Sequence, residues 1–372
     1  MPEILATWDK FGGGHWGAKG PRNAGEGQYG GTNMVMSRDG GLVPVAASRW
    51  LELSNATNGT VWGMFYAWGI DGLVYYLQQT AATTFQVYRF NPDPSAPVTQ
   101  QLMGTITGVA TYDPDWAAVG DTLYMTVYGD KTYAVNTGAG TTSKLTGNYG
   151  DAPAGRCIAL YGERLLIGGI SDARFGTHPN RIHFSGDSTG FAGADPDPTD
   201  RTAWEDLNYF DIGADNSFVV ALLPIRDYLV AITQDQQIWV ITGVPGVNAS
   251  ARRVYGFHKG SGAVEYFQPS HASVDPSQIR VWFFDHTYRA PSRFNGATVS
   301  RTLEFGTPTS DRIAEDSQKG PIAMLGGPDE FIVNNVALSR NAGQATINES
   351  LSLLRLNGVN HVILSDNLDR RH

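Results

Sequence analysis

The stretch DTLYMTVYGDKTYAVNTG, residues 121–138, decides the fold. Leu123, Met125 and Val127 alternate with Tyr124, Thr126 and Tyr128, the period of two that places successive side chains on opposite faces of a β-strand. Gly129-Asp130 reads as a two-residue turn, after which the chain returns through KTYAVN. Apolar side chains stand on both faces of this hairpin, so it cannot bury them alone.

The same unit recurs along the chain. DGLVYYLQQTAATTFQVYRF (71–90) is one copy, GERLLIGGI with a return near NRIHF another, and RDYLVAITQDQQIWVITG (226–243) a further one. SQIRVWFFDHTYRAPSRFNG (277–296) follows, and PDEFIVNNVALSRN with ESLSLLRLNGVNHVIL closes the series. Taking Val74, Leu123, Leu165, Leu229, Val281 and Ile332 as equivalent positions, the period is about 50 residues, the spacing of β-propeller blades. The step from Leu165 to Leu229 is longer and holds an insertion at about 171–207, rich in Gly, Asp and Pro. The expected fold is all-β: a propeller of six to seven blades. Two stacked β-sandwiches would also explain the strands, but not the single period. The best helix candidate, SDRIAEDSQKG (310–320), is short and polar.

Ahead of the first hairpin, in which Met34 to Met36 and Leu42 to Val45 flank Arg38-Asp39-Gly40-Gly41, the chain has a different character. Residues 12–31 contain nine glycines interleaved with His15, Trp16 and Tyr29, without periodicity. The expected organisation is therefore an extended glycine-rich arm over 1–28 and a single propeller domain over 29–372. Such an arm buries little in a monomer and carries an ordering entropy. Across a neighbouring subunit it gains anchors, with Trp8, Phe11, Trp16 and Tyr29 as the interface candidates. A disordered tail is the alternative.

Composition narrows the function. The 372 residues are 41% hydrophobic and 17% charged, which is enough apolar material for a large core. A net charge of −9 argues against a surface that grips phosphate backbones, though not against a duct through which nucleic acid slides. The single Cys157 excludes an internal disulfide and a thiolate zinc site within one chain, and reads as a small buried apolar residue. No stretch approaches the ~20 apolar residues that span a bilayer, so no membrane insertion is expected. MPEILATWDKFGGG has neither a basic start nor an apolar run, and no signal peptide is read there.

Motifs that could carry chemistry are weak. Gly12, Gly14 and Gly17 satisfy G-x-G-x-x-G, but no strand precedes and no helix follows, so no nucleotide site is expected. Asp195, Asp197 and Asp200 in ADPDPTD bring oxygen ligands together, yet two prolines fix the backbone and the spacing is not that of an EF-hand. Asp187, Glu205 and Asp206 could supply paired carboxylates, and Arg156, Arg174, Arg226 and Arg289 could surround an anionic substrate, without any pattern that assembles them. The eight histidines show no ligand spacing. HFSGDSTGF (183–191) is similar to the Asp-box turn of sialidase-type propellers, with Thr189 where the box glycine belongs; that box is structural. No cofactor and no metal are expected.

GQYGGTNMVMSRDGGLVPVAASRW resembles the leading segment of tailed-bacteriophage virion propellers, and NRIHFSGDSTGF, NYFDIG and ALLPIRDYLVAITQDQQIWVITG resemble their central blades. The resemblance spans roughly 29–300 and is one of pattern. It implies a non-enzymatic structural protein of a phage tail, a nozzle or minor tail protein. It would assemble in several copies around the genome-exit duct and be located in the virion after synthesis in the host cytoplasm. The implied partners are further copies of itself and neighbouring tail proteins, with passive contact to exiting DNA. A carbohydrate- or receptor-binding propeller is the alternative, with host-surface glycan as partner and Trp62, Trp68, Trp116, Trp204 and Trp282 as the aromatic pool. A sialidase-like hydrolase is a third reading.

Overall fold

The computed structural model describes residues 59–255 apart from 68, 93–98, 109, 188–196, 198 and 236. Elsewhere it describes residues 272–274, 280–285, 290–301 and the further strands named below. The chain divides into two compact units, one formed by Trp50–Pro269 and the other by Met1–Arg49 together with Ser270–His372.

Four short strands come first. β1 (Gly14–His15) pairs in parallel with β2 (Gln28–Tyr29), and β3 (Met34–Met36) pairs antiparallel with β4 (Leu42–Pro44). The hairpin read around Arg38–Gly41 is thus formed. Of the interface candidates, Trp8, Phe11 and Trp16 lie outside the described residues, and Tyr29 is described only as part of strand β2.

The unit Trp50–Pro269 contains four blades, each an antiparallel meander of four strands. The first blade is β5 (Thr60–Tyr66), β6 (Val74–Ala81), β7 (Thr84–Phe90) and β8 (Gln101–Thr107). The second is β9 (Asp115–Val119), β10 (Thr122–Thr126), β11 (Thr132–Asn136) and β12 (Thr141–Lys144). A small hairpin of β13 (Thr146–Gly147) and β14 (Gly150–Asp151) leads to the third blade. That blade is β15 (Cys157–Tyr161), β16 (Arg164–Asp172), β17 (Gly176–Phe184) and β18 (Tyr209–Asp211). The fourth is β19 (Val219–Ile225), β20 (Tyr228–Thr233), β21 (Ile238–Thr242) and β22 (Ser250–Tyr255).

The other unit adds two four-stranded meanders. One is β23 (Ala272–Val274), β24 (Val281–Asp285), β25 (Ala290–Phe294) and β26 (Val299–Arg301). The other is β27 (Ile322–Gly326), β28 (Phe331–Leu338), β29 (Ile347–Leu356) and β30 (Val359–Asp366). Six blades of this topology among the described residues make the chain an all-β protein of the propeller class, and each of the six repeated hairpins read from the sequence supplies the central pair of one of them, while the hairpin at 34–45 stands apart as β3–β4. Within this unit β1 and β3 lie beside β30. The helix candidate at 310–320 falls outside the described residues.

The period-two pattern explains the stacking. Leu123, Met125 and Val135 of the second blade face the first, where they join Tyr75, Leu77, Phe85 and Val87 in one buried cluster. Tyr124, on the opposite face of the same strand, packs with Ile158, Leu165, Ile167 and Trp204 of the third blade. Leu166, one residue along from Leu165, points the other way, into Val219, Leu222, Leu229 and Ile241 of the fourth. Each inner blade is therefore apolar on both faces because a neighbour covers each of them. Leu123, Leu165 and Leu229 are wholly buried, each contributing about 2 kcal/mol by removal from water.

Two details differ from the sequence reading. The β10–β11 turn is wider than two residues: Val127 N–H donates to the Lys131 carbonyl at 2.9 Å and Asp130 N–H to the Val127 carbonyl at 3.0 Å. Gly129, at φ 77°, takes the left-handed position of that turn. The insertion also begins later than 171, because residues up to Asp172 and from Gly176 to Phe184 belong to the long hairpin β16–β17. The extra chain is the connection from 185 to 208, between β17 and the three-residue β18.

Candidate binding cleft between the third and fourth blades

Polar side chains link consecutive blades. Asp115 opens β9, and its partly buried carboxylate accepts the N–H of Ile158 in the third blade and of Trp116, each at 2.9 Å. Burial raises its pKa to about 7, against the pull of those two bonds. Gly155 donates its N–H to Thr126 Oγ1 at 3.0 Å, and Thr132 donates its hydroxyl to the Pro153 carbonyl at 2.6 Å. Between the first two blades, Arg89 donates to the Thr137 carbonyl at 2.6 Å. Tyr161 crosses from the third blade to the fourth, its hydroxyl 3.4 Å from the Ile241 carbonyl.

The sequence candidates fall mostly into such structural roles. Arg156, 2% exposed, lays its guanidinium over the Tyr112 ring at 4.0 Å and near the Phe218 ring at 5.4 Å. Arg226 is exposed in the β19–β20 turn, at the other end of the strand that follows Phe218. These two arginines are not brought together, and Arg289 lies outside the described residues. Arg174 meets Asp206 at 2.7 Å and the Trp204 carbonyl at 3.0 Å, tying the 185–208 connection to the β16–β17 hairpin. Asp187 is buried in that connection, whereas Glu205 faces an open cleft.

The other motifs resolve in the same way. Ser185 of HFSGDSTGF accepts the Leu165 N–H on its hydroxyl at 2.9 Å, and its carbonyl accepts Arg164 at 2.5 Å, so this segment is a stitched structural turn. Asp197 and Asp200 each cap a local turn, accepting the N–H and hydroxyl of Thr199 and Thr202 respectively. Asp195 lies outside the described residues, among which no group of three or more His, Cys, Asp or Glu is placed to hold a metal. Cys157 is wholly buried, and burial pushes its thiol well up. Trp116, Trp204 and Trp282 are core residues, Trp62 is partly buried against Gln79, and Trp68 falls outside the described residues.

The feature missed from sequence is a cleft of about 790 Å³ between the outer edges of the third and fourth blades. One wall comes from β18 and the residues before it, Glu205, Leu207 and Asn208; the other is the segment Gly246–Ala251. Phe184 and Phe210 contribute rings with centroids 6.3 Å apart. The turn at 244–248 is held by Asn248, whose side-chain oxygen accepts the Val244 N–H at 2.8 Å. Gly246 lets this turn rest on the third blade, since a Cβ there would stand 2.9 Å from the Phe184 ring. Leu207 and Val247 project from the rims, 82% and 75% exposed.

The charges around the cleft are balanced. Arg181 grips Asp211 with two bonds, 2.8 and 3.1 Å, and lies over the Tyr209 ring at 3.6 Å. Glu205 sits in the field of Arg164, whose guanidinium is over the Phe184 ring at 5.3 Å. The cleft thus offers oxygen acceptors and apolar rings, with Arg181 bonded to Asp211 and the Arg164 charge acting on Glu205. Leu207, flanked by Asp206 and Asn208, and Val247, in PGVNAS, were its only signal in the sequence.

No protein family matches the chain by sequence, and no curated protein does. Solved structures similar to it include the Cps50 (Swd1) β-propeller domain of Myceliophteria thermophila, at 10% identity over 85% of this chain and 89% of that one, with a TM-score of 0.49. YCF48 bound to D1 peptide is similar at 11% identity, 86% and 85% coverage and a TM-score of 0.43. AztD from Citrobacter koseri is similar at 9% identity, 82% and 89% coverage and a TM-score of 0.37. Likenesses of this degree say nothing of function, and the blade assignment stands on strand pairing.

Proposed function

We propose that this chain is a non-enzymatic structural protein of a bacteriophage tail, a nozzle or minor tail subunit repeated around the genome-exit duct. The sequence pattern of the leading segment and central blades suggests the setting. The observation that carries the structural role is the set of cross-links between consecutive blades, from Arg89–Thr137 through Asp115–Ile158 to Tyr161–Ile241. Polar side chains spent on joining blades stiffen a scaffold that must hold its shape under load. The glycine-rich arm with Trp8, Phe11, Trp16 and Tyr29 would reach a neighbouring subunit. Gold labelling of intact phage particles with an antibody to this protein tests the reading: label at the tail in several copies is expected, and absence from the particle overturns it.

A second reading, a carbohydrate-binding propeller, is favoured by one observation, the charge-balanced cleft lined by Phe184, Phe210, Glu205 and Asp211.

A further inference from the structure

The cleft between β18 and the 246–251 segment has properties that the blade contacts do not require. Between stacked blades the buried apolar side chains meet in closed clusters. Here two large apolar residues, Leu207 and Val247, face solvent on opposite rims of an open space of about 790 Å³, within the range of about 300–1,000 Å³ common for small-ligand sites. Its walls are also built in advance. Asn248 fixes one rim through Val244, Asn208 fixes the other by donating to the Gly186 carbonyl at 2.7 Å, and Arg181 locks the orientation of Asp211.

We propose that this cleft binds a neutral oligosaccharide, an inference that rests on the second reading above and locates it. The class follows from the lining. Carboxylate and amide oxygens held in place accept hydrogen bonds from hydroxyl groups, while Phe210 and the rim side chains offer apolar surface to the C–H faces of a pyranose ring. Asp211 and Glu205 already have Arg181 and Arg164 beside them, so an acidic sugar gains no free cation and a basic ligand no free anion. Rim residues spaced across the opening suit a chain of sugar units lying along the blade edges. The Trp side chains first considered for stacking take no part, since Trp116, Trp204 and Trp282 are in the core.

The test is saturation-transfer NMR on the full chain with short neutral gluco-, galacto- and manno-oligosaccharides and with uronate oligomers of matching length. It is repeated on the double variant Leu207→Asp, Val247→Asp, whose exposed positions leave the thermal midpoint unchanged. Binding of a neutral oligosaccharide that weakens roughly tenfold or more in the variant is the expected result. Equal binding by both proteins overturns the cleft while leaving a glycan-binding propeller standing. Tighter binding of the uronates overturns the charge argument and with it the ligand class. No binding of any oligosaccharide overturns both the cleft and the second reading.

Discussion

The carboxylate of Asp115, the first residue of its blade's innermost strand, accepts the backbone N–H of Ile158 in the next blade at 2.9 Å. This bond joins strands 43 residues apart in the chain and is partly shielded from water. Burial raises the Asp115 pKa from 3.8 to about 7. Between those two values the folded state keeps a proton that the unfolded chain has released, so stability from this group falls as pH rises through the window and levels off above about 7. Asp115→Asn removes the titration. Thermal midpoints of the two proteins measured from pH 4 to 8 are expected to differ in slope, the wild type losing more toward pH 8 by an amount on the order of a few kcal/mol. Parallel curves would show that Asp115 is ionised throughout.

Gly169 lies where the third blade closely approaches Val219 of the fourth. It sits at φ 67° beside a bulge in the β16–β17 pairing, and a Cβ there would run into the Val219 carbonyl oxygen. Gly168, its neighbour, would meet Val219 Cγ1 at 2.9 Å and Cys157 Sγ at 3.0 Å. Gly169→Ala combines a strained backbone with a backbone collision, and chemical denaturation is expected to show a loss of at least about 2 kcal/mol. Gly120→Ala, at a positive φ with nothing close to its Cβ, isolates the backbone part and should cost only about 1 kcal/mol.

His183 acts on the acid side. Its ring is wholly buried between Phe175, at 4.6 Å, and Tyr209, at 5.4 Å, and neither nitrogen has a hydrogen-bond partner among the described residues. Burial, reinforced by the Arg181 and His178 charges, lowers its pKa from 6.5 to about 3. The unfolded chain therefore takes up a proton below pH 6.5 that the folded state refuses, and stability is lost as pH falls toward 3. His183→Phe keeps a ring in place without the titration. It should flatten the acid limb of the midpoint curve between pH 6 and 4 and change little at pH 7.5; an unaltered acid limb would assign that loss to other groups.

The six hairpins were legible because each repeats one local rule, alternation closed by a tight turn, and the partner strand is a few residues away. Leu123 and Leu165 could be placed in a core for the same reason. What decides which face of Leu166 meets which blade is long-range, as is the carboxylate of Asp115 reaching Ile158: neither position carries a local mark. The 185–208 connection looked like a polar loop, yet Trp204 within it is wholly buried and donates its indole N–H to the Arg201 carbonyl at 3.1 Å. The cleft was hidden because it is made by two segments, at 205–211 and 246–251, that meet only after the third and fourth blades have stacked. Arg156 was legible as a cation but not as one held over Tyr112, a ring from the preceding blade.

The division of the chain sets an order of events during synthesis. All of the residues of one unit, Trp50–Pro269, leave the ribosome before any of Ser270–His372, whereas the other unit draws on both chain ends. Four blades can thus be complete while Met1–Arg49 still waits for its partners. Met1–Arg49 is made before the four-blade unit, yet it belongs with residues made after that unit. An early stop in translation leaves the four-blade unit whole and the discontinuous one without its second half.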